Sequence, residues 1–188
     1  MKRRVAQRVR IIGGQWRGRK LDFPDLPGIR PTPDRVRETL FNWLQPVIVG
    51  ARCLDLFAGS GALGLEALSR GAAQVTFVEK EPRAVAQLNE TLAALGADSG
   101  TVVRNDAAAY LNRACQPYDI VFLDPPFRAG LLLPCCVQLE QQGWLATDAR
   151  IYIETEAEAG DPIMPEPWHI SRHKRSGQVA YLLAMRNA

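Results

Sequence analysis

The 188-residue sequence predicts an α/β fold on a doubly wound, mostly parallel sheet. Three observations predict it. From residue 51 onward, short apolar runs alternate with helical segments. A glycine turn, Gly59-Ser60-Gly61, joins the first run to its helix. Acidic residues recur at the run ends, as Asp55, Glu79, Asp106 and Asp124. Such alternation fits right-handed β-α-β crossovers.

Each element follows from local pattern. Pro24, Pro27, Pro31 and Pro33 mark a linker, which divides an arm over 1–32 from a main domain over 33–188. A helix follows, with Thr32 as its expected N-cap and Pro33 at the first helical position. Val36, Leu40, Trp43 and Leu44 make its apolar stripe, so Arg35, Glu38 and Asn42 face elsewhere. Strands are predicted at Cys53–Phe57, Gln74–Val78, Thr101–Arg104, Tyr118–Leu123 and Ile151–Glu154. Helices are predicted from Ala62 to Leu68, Pro82 to Leu95, Ala107 to Arg113, and about Ala129 to Gln141. Trp168–Ser171 and Val179–Met185, joined across Gly177, predict a closing C-terminal hairpin with the last strand antiparallel to the rest.

Composition narrows the class. A chain with 47% hydrophobic and 23% charged residues is ordinary for one globular domain with a substantial core. No apolar stretch nears the roughly 18 residues that span a bilayer. The start, Met1 to Arg8, lacks the apolar region of a signal peptide, so a cytoplasmic location without a membrane partner is expected. Cys53, Cys115, Cys135 and Cys136 have no metal-site spacing, and only His169 and His173 offer imidazoles; neither a disulfide framework nor a metal site is expected.

Charge is unevenly spread. Residues 1–37 carry eleven Lys or Arg against three Asp, whereas the rest carries twelve basic against seventeen acidic side chains. A basic arm on an acidic body points to a polyanion partner. Residues Ile11 to Leu21 mix glycine, Trp16 and Arg, and read as a short hairpin presenting arginines and one aromatic.

Ligands of open α/β sheets lie beyond the C-terminal strand ends, near a topological switch. Gly59 and Gly61 let the backbone approach a ligand there. Glu79, 20 residues past Gly59, can chelate two ribose hydroxyls, and Asp106 can accept from an adenine amine. Because Gly64 completes G-x-G-x-x-G, a nicotinamide dinucleotide also matches the pattern. Asp55, however, would repel a pyrophosphate and favours the ammonium and sulfonium of S-adenosylmethionine.

Asp124-Pro125-Pro126-Phe127 forms a rigid corner, since neither proline can continue the strand. Alone it reads more readily as a tight turn with Asp124 as a cap. Beside a methyl-donor site, the Asp124 carboxylate and Pro125 carbonyl can accept from an exocyclic amine while Phe127 stacks on its ring.

Asp-Leu-Phe-Ala-Gly-Ser-Gly, the acidic second strand end and Asp-Pro-Pro-Phe resemble class I amino-methyltransferases, with a Rossmann-like domain. Arg10-Ile11-Ile12-Gly13-Gly14, Trp16-Arg17-Gly18-Arg19 and the run Arg30 to Asn42 narrow the resemblance to the RsmD family of bacterial 16S rRNA guanine-N2 methyltransferases. The resemblance implies S-adenosylmethionine as methyl donor and 16S rRNA, in a partly or fully assembled small subunit, as partner. The cofactor set it implies is Asp55, Phe57, Ala58, Gly59, Ser60 and Gly61, then Glu79, Lys80, Asp106, Ala107 and Asp124. The catalytic corner is Asp124, Pro125, Pro126 and Phe127.

RNA contacts are expected from Arg3, Arg4, Arg8, Arg10, Trp16 and Arg17 of the arm. Arg19, Lys20, Arg30 and Arg35 follow, and the C-terminal hairpin adds Lys174 and Arg175 near Arg172. Arg35 and Arg37 can equally serve acids near the cofactor. A DNA or RNA adenine-N6 or cytosine-N4 amino-methyltransferase is the alternative enzyme, and an RNA-binding module without catalysis is the alternative class. A monomer is expected.

Overall fold

A computed structural model describes residues 7–26, 31–114 and 116–187. Its elements are, in chain order, β1 (Gln7–Arg10), β2 (Lys20–Phe23), α1 (Asp34–Leu44), β3 (Arg52–Asp55), α2 (Ala62–Ser69), β4 (Gln74–Glu79), α3 (Pro82–Leu95) and β5 (Gly100–Arg104). Then come α4 (Ala107–Leu111), β6 (Tyr118–Leu123), α5 (Leu132–Gln141), β7 (Leu145–Glu156), β8 (Trp168–Ser176) and β9 (Val179–Arg186).

The seven-stranded sheet has the order β5-β4-β3-β6-β7-β9-β8. Strands β3 to β7 pair in parallel, and β9 runs antiparallel between β7 and β8. The chain winds outward from β3 to β5 and then returns to β6. The switch point therefore lies between β3 and β6, at the ends bearing Asp55 and Asp124.

Alternation along the buried strands fills a core on each side of the sheet. Phe77, Phe122 and Tyr152 point to one face, where Leu40 and Phe41 of α1, Leu65 of α2 and Leu88 of α3 pack. Val121, Ile151 and Ile153 point to the other, against Leu111 of α4, Leu139 of α5 and Trp144. At the sheet's far side Arg186 makes a two-pronged bond to Glu140, which also accepts from Trp168 Nε1 at 2.7 Å, so α5 fastens the C-terminal hairpin.

Several elements differ from their sequence prediction for identifiable reasons. Helix α1 begins at Asp34, with Pro33 at the cap position and no side-chain cap, because the Thr32 hydroxyl bonds elsewhere. Helix α5 starts at Leu132, since Arg128 and Gly130 take left-handed conformations. Strands β7 and β8 are longer than their apolar runs. Among the added residues, Thr147-Asp148 and Arg172 to Arg175 are exposed along the strands and carry no apolar signal.

The arm departs most from expectation. Strands β1 and β2 pair antiparallel as the expected N-terminal hairpin, but β1 precedes the predicted segment and β2 shares only Lys20 and Leu21 with it. The segment between them lies against α2. The Gln15 N–H donates to the Ser69 carbonyl at 2.8 Å, and the Trp16 N–H donates to Ser69 Oγ at 3.0 Å. Gly14 has φ +75°, and a Cβ there would sit 1.8 Å from the Ser69 carbonyl oxygen, so only glycine permits this approach. Trp16 is buried in the core with Ile11. Its predicted place as an exposed stacking residue is therefore corrected: it anchors the arm.

Cys53, Cys135 and Cys136 are buried free thiols, whereas Cys115 lies outside the described residues. Among the described residues no helix is long and apolar enough to cross a membrane.

Candidate active site

The C-terminal ends of β3, β4, β6 and β7 bring four acidic side chains, Asp55, Glu79, Asp124 and Glu154, into one electrostatic neighbourhood. Asp55 closes β3 and is 2% exposed. The Gly64 N–H donates to its Oδ2 at 3.1 Å, which satisfies one free donor of α2's first turn. A Cβ at Gly64 would meet the Phe77 ring at 2.2 Å, so glycine allows α2 this close to β4. Burial pushes the Asp55 carboxyl up to about 7, opposed by the Gly64 bond and reinforced by Glu79 and Glu154.

Glu79 ends β4 between the glycine turn and α3. The Gly59 N–H donates to its Oε2 and the Glu81 N–H to its Oε1, each at 2.8 Å. Each oxygen retains a lone pair for a ligand hydroxyl. Asp106 caps α4, its Oδ1 accepting from Ala108 N–H at 3.0 Å and Ala109 N–H at 3.4 Å. Phe57 and Ser60 are half-buried around the turn, Ala58 and Ala107 are buried, and Lys80 is exposed after β4.

Asp124 follows β6. Burial holds its carboxyl well above the ordinary carboxylate range, and the charges of Glu154 and Asp55 raise it further. Pro125 is buried, Pro126 is exposed, and Phe127 is 45% exposed beside them. The pairing Leu123↔Ile153 places Asp124 next to Glu154 on the same sheet face.

Sequence reasoning missed Glu154. It ends the apolar run Ile151-Tyr152-Ile153, so the strand-end rule that found the other acids applies to it as well. Glu154 is 5% exposed, and its Oε1 accepts from the Tyr152 hydroxyl at 2.8 Å and the Thr32 hydroxyl at 3.0 Å. Burial raises its carboxyl, while those two donors lower it. It also missed Glu66, which receives the arm. Arg37, left open between RNA and cofactor, is 1% exposed and pairs with Glu66 and Asp34 inside the structure.

Asp55 and Glu154, both buried, thus stand with the half-buried Asp124 at the ends of adjacent strands, and among the described residues none of the three forms an ion pair. Such a set suits a cationic ligand and disfavours a pyrophosphate. The residues present therefore fit a sulfonium and ammonium group, with Glu79 suited to a ribose diol.

Exposed cations stand on the arm, on α1 and on β8. Arg8 and Arg10 are exposed but engage Asp22 and Asp34, at 2.8 and 3.0 Å. Arg17, Arg19, Lys20 and Arg35 are exposed on the arm and α1. On β8, Arg172 pairs with Leu183 and Lys174 with Tyr181, so both project from the sheet face that carries the arm, whereas Arg175 projects from the other. Strand β8 runs with the parallel strands, and its turn emerges at the Asp124 end. Arg3, Arg4 and Arg30 lie outside the described residues.

This sheet, with its glycine turn after β3, its Asp-Pro-Pro corner after β6 and its reversed β9, is the fold of class I methyltransferases. A family model described as Conserved hypothetical protein 95 matches residues 9–185. The chain is 58% identical to the "Ribosomal RNA small subunit methyltransferase D" of Escherichia coli (strain K12), covering 96% of this chain and 91% of that one. It is 46% identical to the protein of that name from Haemophilus influenzae, over 93% and 92%. A solved Escherichia coli structure, 55% identical, superposes with a TM-score of 0.92 over 97% of this chain and 99% of that one. A Haemophilus influenzae structure, 42% identical, gives 0.83 over 97% and 100%. The chain belongs to this family, the RsmD family.

Proposed function

We propose that this protein transfers a methyl group from S-adenosylmethionine to the exocyclic N2 amine of a guanine in 16S rRNA of the small ribosomal subunit. The observation that carries the reading is the Asp124-Pro125-Pro126-Phe127 corner beside the two buried carboxylates of Asp55 and Glu154. The relatives' name, ribosomal RNA small subunit methyltransferase, supports the nucleic acid.

When bound, S-adenosylmethionine supplies a methyl carbon whose bond to a cationic sulfur is weak enough to be displaced by an amine. Asp55, Asp124 and Glu154 favour its positive charge. Glu79 accepts from its ribose, and Asp106 keeps an oxygen for its adenine. The Asp124 carboxylate and Pro125 carbonyl accept the two N2–H bonds, which keeps the nitrogen pyramidal and aims its lone pair. Phe127 stacks on a base taken out of its helix. Arg17, Arg19, Lys20, Arg35, Arg172, Lys174 and Arg175 hold phosphates around the opening.

Asp124→Ala should lower methylation of small subunits from a strain lacking the activity by at least about a hundredfold. Calorimetric binding of S-adenosylmethionine should weaken yet persist, because Asp55, Glu79 and Glu154 remain. A nucleoside digest should yield N2-methylguanosine with the wild type; N6-methyladenosine or N4-methylcytidine would overturn the base assignment. Near-normal turnover by Asp124→Ala would overturn the site.

A further inference from the structure

We propose that Glu154 is a positioning residue that makes Asp124 the acceptor of the proton the amine must lose. The inference rests on the amine-methylation reading above.

The chemistry requires an acceptor. When nitrogen bonds to the methyl carbon it becomes cationic and keeps one proton too many. Its N–H bond then breaks with the electron pair returning to nitrogen, and an O–H bond forms on Asp124. The carboxylic acid so formed yields its proton to water after product leaves.

Two neighbouring carboxylates would ordinarily share that duty. Here they are unequal. Glu154 Oε1 holds two hydroxyl donors, Tyr152 and Thr32, which favour its ionised form. Among the described residues no donor is bonded to Asp124. Asp124 therefore faces, across the β6–β7 pairing, a carboxylate whose ionised form two hydroxyls support against its burial, with Asp55 on β3 adding to it. The other titratable groups facing the pair are Tyr152, on Glu154's own strand, and Tyr181 of β9, whose register partner is Glu154. Burial and Glu154 keep the Tyr152 phenol protonated, so it remains a donor. A charge held beside Asp124 makes it the more basic member.

Carboxyl-13C NMR titration of the full-length, cofactor-free protein tests this directly. Asp124 should titrate above the ordinary carboxylate range in the wild type and about one pH unit or more lower in Glu154→Gln. Thr32→Val, which removes one donor while sparing both carboxylates, should move it in the same direction by less. In methylation assays the acidic limb of the pH–rate profile should move down with the titration, and the plateau rate of Glu154→Gln should fall about tenfold. An unmoved Asp124 titration overturns the pairing, and a moved titration with an unmoved limb overturns the proton-transfer role. Failure of the wild type to methylate any guanine amine would instead defeat the functional reading, while the titration would still judge the pair.

Discussion

Replacing Glu66 with glutamine should free the basic arm while leaving the sheet folded. Glu66 is fully buried on α2 and takes four donors. These are the N–H groups of Ile12 and Gly13, both at 2.8 Å, Arg70 Nε at 2.7 Å and Arg37 Nη1 at 3.4 Å. Ile12 and Arg37 share Oε2, whereas Gly13 and Arg70 share Oε1. Glutamine preserves the volume but puts an NH2 group in place of one oxygen. In either orientation one backbone N–H and one guanidinium N–H then face a donor.

Each unmade buried hydrogen bond costs about 1–3 kcal/mol. Arg37 keeps Asp34 Oδ1 at 2.6 Å and the Arg10 and Thr32 carbonyls, at 2.8 and 3.1 Å, so it is not orphaned. That places the total at about 3 kcal/mol, within the 5–15 kcal/mol or so of a typical domain. The thermal midpoint should fall by about 6–12 °C for a chain of this size. Amide hydrogen exchange should accelerate most at Ile12 and Gly13 and least at Val121 in the central strand. Unchanged exchange at Ile12 and Gly13, or a midpoint drop under about 2 °C, would refute the anchor.

Two further outcomes follow from charge. Asp55, with an ordinary value of 3.8, titrates near 7 in the folded protein. Between these pH values the unfolded chain ionises while the folded one keeps its proton, so stability falls as pH rises, by up to about 4 kcal/mol. Asp55→Asn removes that slope and should gain on the wild type in urea unfolding from pH 4 to pH 7; parallel pH profiles would refute it. The double reversal Lys174→Glu, Arg175→Glu should weaken binding to small-subunit RNA and flatten its log–log salt dependence by about 0.7–0.9 for each phosphate released, as read by filter binding across a salt series; an unaltered slope would remove the hairpin from the RNA surface.

Local pattern made the sheet legible. Tyr118–Leu123 and Pro82–Leu95 form as a strand and a helix with the bounds their apolar spacing predicts. Asp55, Glu79, Asp106 and Asp124 were legible as strand-end acids for the same reason. Their local duties as caps and turn clamps were not, because a capping bond depends on the aim of neighbouring N–H groups. What stayed hidden is non-local. Thr32 looked like a cap by its place before Pro33, yet its partner Glu154 lies 122 residues away. Trp16 sits among arginines and glycines, so its neighbours advertise a surface, whereas its burial depends on Ser69, 53 residues on. Glu66 lies within Ala62-Leu63-Gly64-Leu65-Glu66-Ala67-Leu68 and offers no sign that its acceptors face the arm. On β8 the reason is different. An edge strand needs no apolar face where it meets solvent, so Arg172 to Arg175 leave no β signature.

On the proposed function, the separation of charge explains how one small domain selects a base from a polyanion. The strand ends carry Asp55, Asp124 and Glu154 with no cation paired to them among the described residues. A phosphate brought there is repelled by whichever of these carboxylates are ionised, whereas a neutral base is not. The cations that attract phosphate stand elsewhere, on the arm, α1 and β8. An RNA backbone held by those cations can present to the strand-end acids only what extends beyond its phosphates, namely a neutral base. A base within a helix cannot extend that far, so the arrangement favours a flipped or looped-out nucleotide. The exposed ring of Phe127 then meets the base face, and Asp124 meets an amine instead of a phosphate oxygen. The basic rim and the acidic floor thus enforce selectivity together, since neither alone distinguishes a base from the chain that carries it.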